Sequence, residues 1–127
     1  MRYRYKIAIA MLAGIALGAA VTKALHAQAK APVYVVIAID KITDAEAYKP
    51  LPAKGRAAAE AAGGRYLIST GNITRLDGRA PERLAVIEFE NAAQAQAWYR
   101  SAAQKEADAI RARSTDSAAF IAEGIAR

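Results

Sequence analysis

The chain contains no cysteine. Disulfides, thiol nucleophiles, zinc–thiolate sites and a cysteine-borne lipid anchor are excluded with it. Histidine is nearly missing: His26 is the only one. It lies in an N-terminal stretch expected to be removed. A mature chain without imidazole has no Ser-His-Asp triad and no histidine-based metal site. Acidic residues are absent from the first 29 positions, whereas Arg2, Arg4, Lys6 and Lys23 all fall there. A long apolar run is also lacking. Residues 7–21 are apolar over about 15 positions, and a membrane-spanning helix needs about 20.

A short basic start, a moderate apolar stretch and the small-x-small triplet Ala27-Gln28-Ala29 together have the layout of a secretory signal peptide. The expectation is a signal over residues 1–29 and one domain over residues 30–127. No Arg-Arg pair is present, which favours the general secretory route. The domain is then periplasmic or secreted. The alternative is an uncleaved segment holding it at the inner membrane. The high alanine content has a bacterial look.

The net charge of +6 belongs mostly to that segment. Removing its four basic residues from 18 leaves 14 against 12 acidic ones, a balance of +2. A nucleic-acid surface needs Lys and Arg clustered on a folded face, so no nucleic-acid partner is expected. Hydrophobic residues make up 54 % of 127, but much of that is alanine. The core must rest on a modest set of Ile, Leu, Val and aromatic residues in one small domain.

The centre of the chain is the stretch from Arg83 to Ser101, an apolar strand running into a capped helix with the only Trp, Trp98. Around it, residues 33–41 (VYVVIAIDK) read as a β-branched strand. Asp44 can cap a helical region over residues 44–62, which Pro50 and Pro52 divide. Gly63-Gly64 stops it. Residues 65–71 (RYLISTG) read as a strand, and residues 72–76 (NITRL) as its continuation or a further strand. Asp77-Gly78 and Pro81 mark a turn. Residues 83–89 (RLAVIEF) form the next strand, and Asn91 caps a helix over residues 92–101. Helical character resumes over residues 103–113. Residues 118–125 (AAFIAEGI) form the last strand.

This β-α-β-(β)-β-α-β order is that of an α+β domain with helices on one face of a mainly antiparallel sheet, the ferredoxin-like split βαβ motif. The other sheet face has no cover of its own. An exposed apolar face calls for a partner, and a homodimer packed sheet against sheet is expected.

Gly63-Gly64-Arg65-Tyr66-Leu67, Pro81-Glu82-Arg83 leading to Val86-Ile87-Glu88-Phe89, Ala95 with Ala97-Trp98-Tyr99 and Ser101, and Glu123-Gly124 together resemble domain-of-unknown-function family 1330, in the dimeric α/β-barrel superfamily. The resemblance implies a ferredoxin-like protomer and a homodimer whose two sheets form a barrel. It implies no established activity. Relatives in the superfamily include cofactor-free monooxygenases and small-molecule isomerases or lyases. The family commonly reads Ser-Pro-Glu-Tyr where this chain has Ser101-Ala102-Ala103-Gln104, a departure that counts against a pocket role for this loop.

Candidate site residues follow from charges in apolar strands. Glu88 shares a strand face with Leu84 and Val86. A carboxylate there is either a general acid or base, or a structural ion pair with a partner such as Arg65. Asp40 at the end of the first strand and Glu123 near the end of the last could line a pocket mouth or bond within adjacent loops. Arg65 could grip an anionic group with its planar fork. Tyr66 could supply a phenol donor or pack in the core. No cofactor and no metal site is expected. Three functions are open: an exported homodimer holding a small, partly apolar organic ligand in a barrel pocket, a cofactor-independent enzyme acting by proton transfer, and a structural or stress-related envelope protein.

Overall fold

The computed structural model describes residues 31–126. The expected signal segment lies outside them. In chain order the elements are β1 (Val33–Ile42), α1 (Ala45–Tyr48), α2 (Leu51–Ala61), β2 (Arg65–Thr70), β3 (Arg83–Phe89), α3 (Ala92–Arg100), α4 (Ala102–Ser114) and β4 (Thr115–Glu123). The four strands form one antiparallel sheet in the order β2-β3-β1-β4. This is the ferredoxin-like arrangement expected from the element order.

Strand alternation divides the residues between two faces. Val33, Val35, Ile37 and Ile39 of β1 and Ile87 and Phe89 of β3 are buried beneath the helices. With Ala59, Ala95 and Trp98 they make the main core. Trp98 reaches it because Asn91 starts α3 by accepting from the Gln94 amide, at 2.8 Å. That start sets Ala95 and Trp98 on the inward stripe. The Trp98 and Phe89 rings lie 5.3 Å apart at 38°.

The opposite face is open. Its central row runs across all four strands as Ile68, Val86, Val36 and Phe120. A second row runs Thr70, Leu84, Ala38 and Ala118, and a third Arg65, Glu88, Tyr34 and Ala122. Phe120 is 52 % exposed and Ile68 41 %.

The α2–β2 junction shows why two glycines stand together. Gly63 has φ 85° and ends the helix in a left-handed cap. Its amide and that of Gly64 donate back to Glu60 and Ala59 at 3.1 and 2.8 Å. A Cβ at Gly64 would lie 2.7 Å from Phe89 Cζ. The turn therefore closes only over a residue without a side chain.

Two expectations about strands are corrected. Residues 72–76 are not a strand: residues 71–82 form a loop, tied down where the Glu82 amide donates to Ile39 O at 2.8 Å and Glu82 Oε2 accepts from the Ile42 amide at 3.1 Å. Leu76 is 96 % exposed there, with nothing to pack against. The last strand begins at Thr115, three residues before the expected start, and ends at Glu123. Thr115 Oγ1 donates to Arg111 O at 2.7 Å, so α4 closes on the residue that opens β4. No linker intervenes.

Among the described residues no helix is long and apolar enough to cross a membrane.

Candidate functional site

One end of the helix-covered sheet face does not close on itself. The inward residues there are Arg83 and Ala85 of β3, Ile37 and Ile39 of β1, and Ser69 of β2. Above them stand Tyr48 of α1, Leu51, Pro52 and Gly55 of α2, and Gln104, Asp108 and Arg111 of α4. These residues enclose a pocket of about 60 Å³. One water needs about 10–15 Å³ by the same measure, so the space suits about four to six water-sized groups.

Local sequence explains the polar set. Ser101 closes α3 by donating to Trp98 O at 2.7 Å and starts α4 by accepting from the Gln104 amide at 3.2 Å. From that start, positions 104, 107, 108, 110, 111 and 114 fall on or beside the inward stripe. Ala107, Ile110 and Ser114 are buried, and so is Gln104. Polar side chains thus enter the interior on the same stripe as Ile110.

A chain of bonds holds them. Arg111 donates to Asp108 Oδ1 from Nε at 3.4 Å and Nη2 at 3.3 Å, and to Ser117 Oγ from Nη1 at 2.9 Å. Asp108 Oδ1 also accepts from Gln104 Nε2 at 3.0 Å. Gln104 Oε1, in a residue only 3 % exposed, meets no hydrogen-bond partner among the described residues. Arg83 makes no ion pair among the described residues, although it lines the same pocket. The Asp108–Arg111 pair is neutral as a unit, so Arg83 leaves the pocket with an excess of one positive charge.

Tyr66 enters from β2. Burial raises its phenol above the ordinary range, opposed in part by the nearby Arg56 guanidinium, which sits 5.6 Å from its ring centroid. The Tyr66 hydroxyl therefore stays protonated and can donate at neutral pH. The pocket can offer an anionic ligand a guanidinium and phenol donors above an apolar floor.

Of the five residues singled out from sequence, only Tyr66 lines this pocket. Arg65 and Glu88 lie in one row of the open face and form an ion pair, with Nη2–Oε2 at 3.0 Å. Asp40 is exposed beside the irregularity where the β1–β4 register shifts between Ile39 and Lys41. Glu123 is exposed opposite Val33, at the other end of that strand pair. Arg65 and Glu88 thus share the open face that a barrel between two sheets would use, Tyr66 lies on the helix side, and Asp40 and Glu123 stand apart from both. Alternation sends Arg65 and Glu88 to the far side of the sheet, and strand length separates Asp40 from Glu123. The loop whose family pattern counted against a pocket role does reach the pocket, through Gln104. The available signal was the spacing of Gln104, Asp108 and Arg111 beside Ile110.

A second groove, of about 340 Å³, runs beside β4 between Trp98, Tyr99 and Arg100 of α3 and Ala119, Phe120 and Ile121. Trp98 Nε1 is buried without a hydrogen-bond partner among the described residues. It is larger but more open and less polar, and we take the first pocket as the candidate site for its convergent polar groups. Among the described residues no group of three or more His, Cys, Asp or Glu side chains could hold a metal ion.

The chain belongs to the family described as Domain of unknown function (DUF1330), which matches residues 32–125. A comparison with curated proteins found no match. Among solved structures, a protein of unknown function from Rhodopseudomonas palustris is 17 % identical, with 81 % of this chain and 93 % of that one covered and a TM-score of 0.61. An ethyl tert-butyl ether D family protein from Bacillus halodurans is 12 % identical over 74 % of this chain and 99 % of that one, with a TM-score of 0.59. A dimeric ferredoxin-like protein of unknown function from Thermobifida fusca is 11 % identical, with coverage of 72 % and 90 % and a TM-score of 0.53. At these identities the likeness concerns the fold.

Proposed function

We propose that the protein is an exported homodimer that holds a small organic anion in the pocket between its helices and its sheet. The observation that carries the ligand reading is Arg83, a guanidinium without an ion-pair partner among the described residues, in a pocket floored by Ile37, Ile39 and Ala85. Arg83 is half-buried, so its charge is partly desolvated, and a bound carboxylate could pair with it in bidentate geometry. Tyr66 is the ligand contact on β2. Binding requires no cofactor. Export rests on the basic and apolar layout of the first 29 residues.

The homodimer reading rests on the open face. A row of Ile68, Val86, Val36 and Phe120 is an apolar band of the kind that marks an interaction surface. The Thermobifida fusca protein of similar fold is described as dimeric. In this reading the Arg65–Glu88 pair borders the interface and orders its edge. Asp40 and Glu123 remain at the periphery.

Gly55 offers a test that separates ligand binding from folding. It is buried in α2, and a Cβ there would lie 3.5 Å from Tyr66 Oη, an ordinary contact. Gly55→Ala removes an unfavourable helix-interior glycine, so stability is expected to rise by about 0.5–1 kcal/mol. The same methyl group narrows the pocket. Thermal-shift measurements against small carboxylic acids, amides and phenols should find an acid that stabilises the parent. The Gly55→Ala protein, with the higher starting Tm, should respond less to it. An equal response in both proteins would place the ligand elsewhere, and no response from any acid would remove the ligand reading.

A further inference from the structure

Asp108 is held by one of its oxygens and leaves the other open. Oδ1 takes the bonds made to the carboxylate, from Gln104 Nε2 at 3.0 Å and from Arg111 Nε and Nη2 at 3.4 and 3.3 Å. Oδ2 takes none of them. It is not among the fully buried unpaired atoms, and the Asp108 side chain is 21 % exposed. An ionised carboxylate only accepts, so Arg111 and Gln104 fix its plane and leave one oxygen as a reachable proton acceptor. The Tyr66 hydroxyl is likewise unpaired and not sealed from solvent. It points to the pocket, 3.5 Å from where a Cβ on the lining residue Gly55 would stand. Burial keeps it protonated.

Strand register sets these groups around one spot. Arg83, Ile39 and Ser117 form a row across β3, β1 and β4 on the helix side. Arg111 Nη1 donates to Ser117 Oγ at 2.9 Å, and Arg111 carries Asp108 with it to the β4 side of Ile39. Arg83 stands on the β3 side. In a space of about 60 Å³, a ligand of a few carbons lying over Ile39 has a guanidinium at one end and the open carboxylate oxygen at the other. We propose that the pocket moves a proton on small 2-oxocarboxylates, interconverting their keto and enol forms. Arg83 holds the carboxylate, Asp108 Oδ2 takes a proton from C3, and Tyr66 donates a hydrogen bond to the keto oxygen. This rests on the ligand reading above and adds the substrate class and an activity. In the forward step the C3–H electron pair becomes the C2–C3 double bond, the carbonyl π pair moves onto oxygen, and the proton passes to Oδ2. Tyr66 keeps its own proton. The reverse step returns a proton to C3, and the balance needs no further reactant. The enolate carries a second negative charge, which the excess positive charge of the pocket favours.

The test is the loss of the pyruvate methyl signal in heavy water, followed by proton nuclear magnetic resonance with the full chain. The parent should exchange these protons at least about tenfold faster than buffer alone. Asp108→Asn keeps the shape of the side chain but is no base, and should fall to the buffer rate. Tyr66→Phe removes one oxygen and should lose at least about tenfold. Arg83→Leu should raise the half-saturating pyruvate concentration at least about tenfold. Lactate has the carboxylate without the keto group and should inhibit by competition. Circular dichroism should show the variants folded, and Tyr66→Phe carries the test if Asp108→Asn does not fold. A parent that exchanges no faster than buffer, while pyruvate still raises its Tm, would overturn the proton transfer and leave the ligand reading standing. Exchange at the parental rate in Asp108→Asn or in Tyr66→Phe would overturn it as well. Neither exchange nor binding of pyruvate would overturn the inference, and the ligand reading falls separately if the wider set of acids also fails.

Discussion

Trp98→Ala is expected to lose about 3–5 kcal/mol of folding stability, the range for emptying a large aromatic site in a close-packed core. Small domains are stable by only about 5–15 kcal/mol, so the variant should be marginally folded at best. The size of the effect follows from position. Trp98 is 2 % exposed, stacks against Phe89 and closes the core between α3 and the sheet. Its neighbours cannot collapse into the gap, because Ala59 and Ala95 are small and Phe89 is held by the turn at Gly64. The measurement is urea unfolding followed by far-ultraviolet circular dichroism, since Trp98 is the only tryptophan and its replacement removes the fluorescence signal. Trp98→Phe should lose much less. The indole Nε1 has no hydrogen-bond partner among the described residues, so that change breaks none there. A Trp98→Ala midpoint close to that of the parent would mean that the helices are held to the sheet by something other than this cluster.

The second large effect concerns association. Val36→Asp places a carboxylate at the middle of the apolar row on the open face. In the protomer that position is half-buried and can hydrate its charge. In a sheet-against-sheet dimer related by a two-fold axis, each interface would bury two such charges near one another, because an isologous contact repeats every substitution. Like charges brought together at an interface cost several kcal/mol, so dissociation should strengthen by at least about 100-fold. Light scattering at micromolar concentration should give twice the chain mass for the parent and the chain mass for the variant. Circular dichroism should show both folded. A parent of single mass would remove the dimer from the account. A variant that stays dimeric would move the interface off this face.

Much of the fold was legible because β1 and β3 carry strong, opposed patterns. Residues 33–39 alternate between buried and half-buried positions, and β3 places Ile87 and Phe89 inward with Val86 and Glu88 outward. Asn91 and the Gly63-Gly64 pair fixed the helix ends through local chemistry that needs no tertiary information. The two strand errors have a common origin. Thr115-Asp116-Ser117 looks like a polar connection, yet pairing with Lys41 and Ile42 and the Thr115–Ser117–Arg111 bonds absorb its polarity into β4. Asn72 to Leu76 has strand-like residues but no neighbouring ladder to join.

The site was less legible. Glu88 drew attention as a charge in an apolar strand, and its ion pair with Arg65 was one of the alternatives open from sequence. The residues that converge on the pocket looked ordinary. Gln104, Asp108 and Arg111 are common on the solvent side of helices, and only the packing of α4 over the sheet turns them inward. Arg83 sits at the strand's first position, where a charge draws no notice. That it makes no ion pair among the described residues is a three-dimensional fact.

The central claim is that a small organic anion occupies the space between the helices and the sheet. The most direct measurement is amide chemical-shift mapping by nuclear magnetic resonance as lactate is added to the isotopically labelled protein. The account predicts saturable shifts centred on Gly55, Tyr66, Ser69, Arg83, Ala85 and Gln104, with Ile68, Val86 and Phe120 unmoved. Shifts centred on the open face, or on the groove beside Trp98 and Ile121, would contradict it.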